Sequence, residues 1–571
     1  MSVIDWAVLG ITLASIVIYG VWKSSGSKNM DHYFLGDQSL PWYHVGLSVM
    51  ATQASAITFL SAPGQAFSDG MRFVQFYFGL PLAMIVLCIT FVPIFHKLKI
   101  YTAYEYLEQR FDLKTRAFTA FLFLIQRGLS TGISIYAPAI ILSTILQIDT
   151  LYTTLFTGGL VIIYTVYGGT KAVSYTQLLQ MSIIFSGLFL AGIVVVMLLP
   201  DNVGMNKALH IAGSMDRMNV IDWNFDWDNR YTVWTGILGG FFLQLSYFGT
   251  DQSQVGRYLT GKSVTQSRLG LIMNAVVKIP MQFMILLIGV LVFTFYQYSQ
   301  PPLFFNSYEV KRISESPYSK EYNQLDERYQ AQFQERRKYA TLLAEDSQNP
   351  LLRKQVKESN QAMEGIKGEA TALMKKNNKE ADINDSNYVF LTFVTQHLPK
   401  GLVGLLIAII FLASMGSIAS AFNSLASTTS VDIYKRLINP NASEENYLRF
   451  SRASTVGWGL ISIGMALYAG KMGNLIEAVN ILGSLFYGTI LGIFVVAFYV
   501  KRVKGNAVFV AALVAEVLVC LAYYFEIMAY LWLNVLGCVL VVLLGIMAQL
   551  MLPKRLAGVF VSGDRDERMK P

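Results

Sequence analysis

Two ionisable side chains stand where the chain is otherwise apolar. Arg127 interrupts FLFLIQRGLSTGISIYAPAIIL, and Lys278 interrupts LIMNAVVKIPMQFMILLIG. An unpaired charge in such a run is costly, so each is either a functional group or a structural one held by a carbonyl or carboxylate elsewhere. Two more runs lose their apolar character midway. VGLSVMATQASAITFLSAPGQAFSDG (45–70) does so at Thr52, Gln53 and Ser55, and GILGGFFLQLSYFGTDQSQVG (236–256) at Gln244, Ser246 and Gly249. A third, FLASMGSIASAFNSLASTTS (411–430), is crowded with small residues and hydroxyls. Small-xxx-small spacing serves close helix packing. Hydroxyls and carbonyls freed at a helix break are also what a hard cation such as sodium requires. This is binding chemistry. The chain has five His and three Cys (Cys88, Cys520 and Cys538, each in an apolar run). No metal-ligand spacing, activated nucleophile or paired carboxylates emerge, so an enzyme is not expected.

The elements that must position these groups are membrane spans. Of 571 residues 54% are hydrophobic and only 14% charged, against about 25% charged in soluble proteins, and the mean hydropathy is +0.44. By the criterion of about 20 mostly apolar residues, about thirteen helical spans begin near residues 4, 42, 72, 118, 151, 172, 232, 268, 401, 447, 474, 506 and 528. Val3–Trp22 lacks a basic leader and a small-residue cleavage site and reads as a retained span. Lys and Arg concentrate in alternate loops: Lys23 and Lys28; Lys97, Lys99, Arg110, Lys114 and Arg116; Arg257, Lys262 and Arg268; Lys435, Arg436, Arg449 and Arg452; Lys501, Arg502 and Lys504; Lys554 and Arg555. Positive-inside bias then gives N-out, C-in. The basic excess suits anionic membrane lipid rather than nucleic acid.

The broken runs at 45–70 and 236–256 each open five spans, 42–199 and 232–500. Paired interrupted helices at matching positions point to an inverted-repeat transporter with its site at the midplane. The expected fold is thus all-α and polytopic, with a 5+5 core. An extra span and loop (1–41) precede it, an external loop (200–231) joins the halves, and two further spans and a short tail (501–571) follow. Within the second half, 301–386 carries 14 Lys/Arg and 14 Asp/Glu. Its helix-forming composition, broken at Asn349-Pro350, reads as an external pair of helices.

Over residues 5–505 the chain resembles the sodium/solute symporters, a family that includes sodium–glucose, iodide, monocarboxylate, proline and sialic acid transporters. The markers are DHYFLGDQSLPWYHVGLSVMATQAS (31–55), YGGTKAVSYTQLLQ (167–180), DQSQVGRYLTGKSVTQSRLG (251–270) and ASAFNSLASTTSVDIYKR (419–436). YAPA (136–139) and DQSQVGRYL look most like the iodide and monocarboxylate branch. The resemblance implies a sodium site built from the carbonyls of Ala51, Ala54 and Ala413 and side chains at 416 and 417. Ser417 supplies one hydroxyl, but Gly416 supplies none, leaving a carbonyl, water or Ser414 as substitutes. Many members have Asp where this chain has Gln177. Those with an additional sodium site pair that Asp with hydroxyls at positions held here by Gly416, Ala419 and Ser420, so one sodium per cycle is expected.

For the solute, sugar-transporting relatives have Gln and Glu at the positions of Thr58 and Tyr77, although Lys278 matches them. Ser55 and Thr58 instead resemble hydroxyls of the sialic acid transporters, which also carry an Arg on the span containing Arg127. A guanidinium forks onto a carboxylate, which favours an anion. Gln53, Phe73, Gln75, Gln244, Tyr247 and Asn480 are further expected liners, with Tyr247 and Phe248 as a gate. The expectation is a monomeric, sodium-coupled symporter in a cell membrane (the bacterial inner membrane), importing a small carboxylate such as a sialic acid or monocarboxylate. The alternative is a sodium-independent or proton-coupled transporter of a neutral solute such as a sugar.

Overall fold

The computed structural model describes residues 1–24, 39–98, 100–346 and 349–551, without the side chains of residues 17, 20–24 and 167–175. Lys23, Lys28, Lys99, Lys554, Arg555 and the motif stretches 31–38 and 167–175 lie outside the described side chains. Everything regular among the described residues is helical; one isolated bridge pairs Leu40 with Gly261.

In chain order the helices are α1 (Val3–Ser24), α2 (Trp42–Gln53), α3 (Ala56–Asp69), α4 (Leu80–Val86), α5 (Val92–Leu98), α6 (Glu105–Arg110), α7 (Leu113–Leu146), α8 (Thr150–Met197) and α9 (Met205–Ser214). Then follow α10 (Gly240–Thr250), α11 (Gln252–Tyr258), α12 (Val264–Tyr298), α13 (Ser307–Ser314), α14 (Ser319–Glu345), α15 (Pro350–Asn377) and α16 (Ser386–His397). The last are α17 (Leu402–Thr428), α18 (Glu444–Ala469), α19 (Leu475–Tyr499), α20 (Gly505–Tyr524) and α21 (Tyr530–Met551). Among the described residues, eight helical segments are long and apolar enough to cross a membrane, with shorter apolar ones at Val3–Ile16 and Thr150–Val166. The spans expected near 151 and 172 are joined in the single helix α8.

Two interruptions organise the centre. The first span breaks between α2 and α3 at Ala54 and Ser55. A second breaks between α10 and α11 at Asp251, whose backbone is extended. Around them α17 is buried along nearly its whole length, because its small side chains let neighbouring helices approach closely. α12 approaches α3 closely at Gly289, where a Cβ would lie 2.2 Å from the Pro63 carbonyl oxygen.

The insertion is a helical hairpin, α14 against α15, with a core of its own. Tyr322, Leu325, Tyr329 and Phe333 face Met363, Ile366, Ala370 and Met374, both stripes keeping helical three-and-four spacing. Asn349 caps α15 by accepting from the Leu351 and Leu352 N–H groups, and Pro350 takes the first helical position, where its missing N–H costs nothing. The hairpin is anchored to the membrane helices. Arg336 donates to the Tyr296 carbonyl on α12 at 2.5 Å, and Lys367 pairs with Asp385 at 2.6 Å.

Asp382, at the foot of the hairpin, accepts from the Tyr136 hydroxyl of α7 (2.9 Å) and the Tyr388 hydroxyl of α16 (2.7 Å). Burial pushes its carboxyl up to about 6 from the usual 3.8. The folded state therefore holds the proton more tightly than the unfolded one. Asp382 thus contributes folding stability that grows as pH falls from neutrality through 6 towards 4, by on the order of 1–3 kcal/mol. Melting of the detergent-purified protein should show this rise, and Asp382→Asn should flatten it. An unchanged slope in the variant would refute the assignment to Asp382.

Candidate substrate and ion site

The break in the first span frees the carbonyls on which the site depends. The Ser55 N–H turns to the Gln53 carbonyl (3.0 Å), and the Thr58 N–H to that of Ser55 (3.0 Å). In a continuous helix these two donors would close on Ala51 and Ala54. Those two carbonyls are thus left out of the backbone ladder, which makes them fit ligands for a hard cation.

Beside the break lies a cavity of about 100 Å³. Thr52, Gln53, Ser55 and Thr58 come to it from the break, and Phe76 and Tyr77 from the 3₁₀ segment Gly70–Tyr77. Arg127, Ser130, Thr131 and Ser134 form one face of α7; Tyr247 enters from α10, Ser417 from α17, and Asn480 and Tyr487 from α19. Of the residues read from the sequence, Gln53, Ser55, Thr58, Tyr77, Arg127, Tyr247, Asn480 and Ser417 are brought together here.

Four expected liners are not. Phe73 stacks on Phe76 with ring centroids 5.4 Å apart and sits behind it, because side chains three apart eclipse in a 3₁₀ helix. Gln75 ties down the loop before α10, donating to the Tyr231 carbonyl (3.0 Å) and accepting from the Asp222 N–H (3.0 Å). Gln244 is buried with no partner for its amide among the described residues. Lys278 is fully buried behind Tyr77, its ammonium 5.9 Å from that ring. Phe248, the expected gate partner of Tyr247, is packed in the core.

Arg127 has an ionic neighbour that the sequence reading missed. Its Nη1 lies 3.6 Å from Asp251 Oδ2, its guanidinium stands 5.9 Å over the Tyr247 ring, and its Nε has no partner among the described residues. Asp251 caps α11 through the Ser253 N–H (2.8 Å) and accepts from the Tyr487 hydroxyl (2.8 Å). The available signal was an Asp in an apolar run two residues before a Ser, a helix-start pattern.

At the remaining positions an amide stands where the resemblance would place a carboxylate. Gln177 accepts from Ser48 (2.7 Å) and donates to Thr52 and Ser420 hydroxyls (both 3.2 Å). Arg257 donates to Ser420 as well (2.9 Å). Ser414 turns to the Ser134 carbonyl of α7 at 3.4 Å. Gly416 faces Gln180, whose Oε1 lies 2.7 Å from where a Cβ at 416 would stand. A buried amide oxygen thus occupies the space of the absent side chain.

A family model for the sodium:solute symporter family matches residues 33–302 and 363–515. The chain belongs to this family. The stretch between the two matches falls within the inserted segment. Relatives include the sodium/sialic acid symporter SiaT of Proteus mirabilis, 27% identical over 95% of this chain and 94% of that protein. The human sodium/iodide cotransporter is 32% identical over 52% of this chain, which spans 46% of its length. Sodium-coupled monocarboxylate transporter 1 of Xenopus laevis is 27% identical over 86% of this chain and 67% of its own. Among solved structures, the substrate-bound outward-open state of a Na+-coupled sialic acid symporter superposes with a TM-score of 0.74 at 25% identity, covering 97% of this chain and 99% of that one. This family member is therefore a multi-pass membrane transporter of the same helical architecture.

Proposed function

We propose that the chain imports a small carboxylate together with one sodium ion by alternating access, with residues 42–199 and 232–500 as the two moving repeats and the N-terminus outside. The observation that carries this reading is Arg127, placed in the same cavity as Ser417 and the break that frees the Ala51 and Ala54 carbonyls. Arg127 receives the carboxylate, and the hydroxyls of Ser55, Thr58 and Ser130 meet its other polar atoms. Sodium is held by the Ala51, Ala54 and Ala413 carbonyls and Ser417, with Gln180 Oε1 in place of the hydroxyl absent at Gly416. The neutral Gln177 side chain supports a single sodium per cycle, since its amide N–H points at Thr52 and Ser420, where a second cation would need oxygens, and the Arg257 guanidinium also donates to Ser420.

Thermal stability of the purified protein against a panel of monocarboxylates, sialic acid, hexoses, amino acids and iodide, in sodium and in potassium, tests this reading. A ligand that binds only the folded state raises its stability by RT ln(1 + [L]/Kd). A carboxylate that stabilises in sodium and not in potassium is the expected result. The same neutral Gln177 side chain favours a second reading, a sodium-independent facilitator, which equal stabilisation in both salts would establish. One sodium with one monoanion moves no net charge, so uptake should produce no current; a sodium-dependent inward current with a monoanion overturns the stoichiometry.

A further inference from the structure

Asp251 is more than a helix cap. Its two oxygens do different work: Oδ1 takes the Ser253 N–H and hydroxyl (2.8 and 2.6 Å), while Oδ2 faces the cavity residues Tyr487 (2.8 Å) and Arg127 (3.6 Å). Asp251 is 1% exposed and Arg127 8%. No other carboxylate among the described residues lies within ion-pairing distance of Arg127. At the cavity wall Arg127 and Asp251 therefore cancel, one fixed positive against one fixed negative charge; Arg257, which donates to Ser420, is not among the residues lining the cavity.

A neutral site decides what can enter. An anion alone would leave one uncompensated negative charge in a low-dielectric space, and a sodium ion alone one positive charge; both are costly. The two together restore neutrality. We propose that Asp251 is the residue that makes solute binding depend on sodium, by cancelling the charge of Arg127 that would otherwise hold the carboxylate unaided. This rests on the carboxylate reading given above. Arg127 keeps donors for a carboxylate, since Asp251 engages a single Nη1 at long range and Nε is unused. Coupling of this kind is reciprocal: whatever sodium adds to solute affinity, solute adds to sodium affinity.

Asp251→Asn tests the inference, because Asn is as good a cap as Asp: its amide oxygen keeps the Ser253 bonds, and the NH2 in place of Oδ2 donates to the Tyr487 oxygen. Binding is read by thermal shift with pyruvate and with N-acetylneuraminate as their choline salts, in sodium and in potassium. Sodium should tighten carboxylate binding to the wild type by a factor in the usual range of about 5–150. In Asp251→Asn that factor should collapse towards one, chiefly through tighter binding in potassium. A factor that persists while carboxylate still binds would overturn the proposal. A second readout needs no solute: stabilisation by sodium alone should weaken in Asp251→Asn, whose site is positive, and strengthen in Arg127→Gln, whose site is negative. Equal responses, or the reverse order, refute the charge-balance account. Should Asp251→Asn fail to fold, Asp251→Ser, which keeps a capping oxygen, is read in the same way and against the same outcomes. If no carboxylate stabilises the wild type in either salt, the proposed solute class fails, while the sodium-only comparison still decides the role of Asp251.

Discussion

Arg127→Gln should reduce carboxylate binding below detection, and Arg127→Lys should weaken it about 10–100-fold while sparing any neutral solute. Removing one partner of a desolvated, hydrogen-bonded charge pair costs about 2–5 kcal/mol. Lysine keeps the charge but loses the planar fork that matches two carboxylate oxygens. The lysine variant is the more telling one, because Arg127→Gln also leaves Asp251 with only Tyr487 and Ser253 as partners among the described residues. A buried charge stripped of its counter-ion destabilises the fold by about 3–5 kcal/mol. The glutamine variant should therefore melt at a lower temperature, and lost binding counts against solute contact only where the protein is folded. Isotherms for a carboxylate and its amide, measured with both variants, separate charge from shape. Unaltered carboxylate affinity in Arg127→Lys would show that the fork does not hold the solute.

The second large effect concerns the notch at Gly416. Gly416→Ser alone should destabilise the protein by about 1–3 kcal/mol, the usual cost of overpacking a filled site, because its Cβ would stand 2.7 Å from Gln180 Oε1. Gln180→Ala alone should weaken sodium binding about tenfold, by removing one of the five oxygens proposed to hold the ion. The double variant, Gly416→Ser with Gln180→Ala, exchanges one oxygen for another and should recover both folding stability and sodium affinity. Sodium titrations followed by melting temperature distinguish the three. If the double variant binds sodium no better than Gln180→Ala, the amide oxygen is not a substitute for a hydroxyl. Non-additivity is the diagnostic, since residues that share one space couple strongly when both are changed.

Both expectations join residues that sequence spacing could not connect. Arg127 and Asp251 each stood out, one as a charge in an apolar run and the other within DQSQVGRYL, yet nothing local says that they meet. The same holds for Gln177, which bonds to side chains from α2 and α17 at once. Phe73 and Gln75 were expected in the cavity, and the 3₁₀ winding of Gly70–Tyr77 turns them elsewhere. Lys278 was conspicuous because lysine is rare in apolar runs, but Tyr77 stands between it and the cavity.

The sequence by itself determined what depends on near neighbours and on transfer from water. That includes the membrane spans, the breaks at Ser55 and near Gly249, the Asn349-Pro350 start of α15 and the hydroxyl-rich face of α17. Hydropathy, capping and helix propensity act within a few residues, so they are written in order along the chain. Tertiary structure alone decided which charge neutralises Arg127, which amide fills the notch at Gly416, and which polar residues of one span face the cavity. A helix presents several faces of similar polarity, and the choice among them is made by partners that lie more than a hundred residues away in sequence.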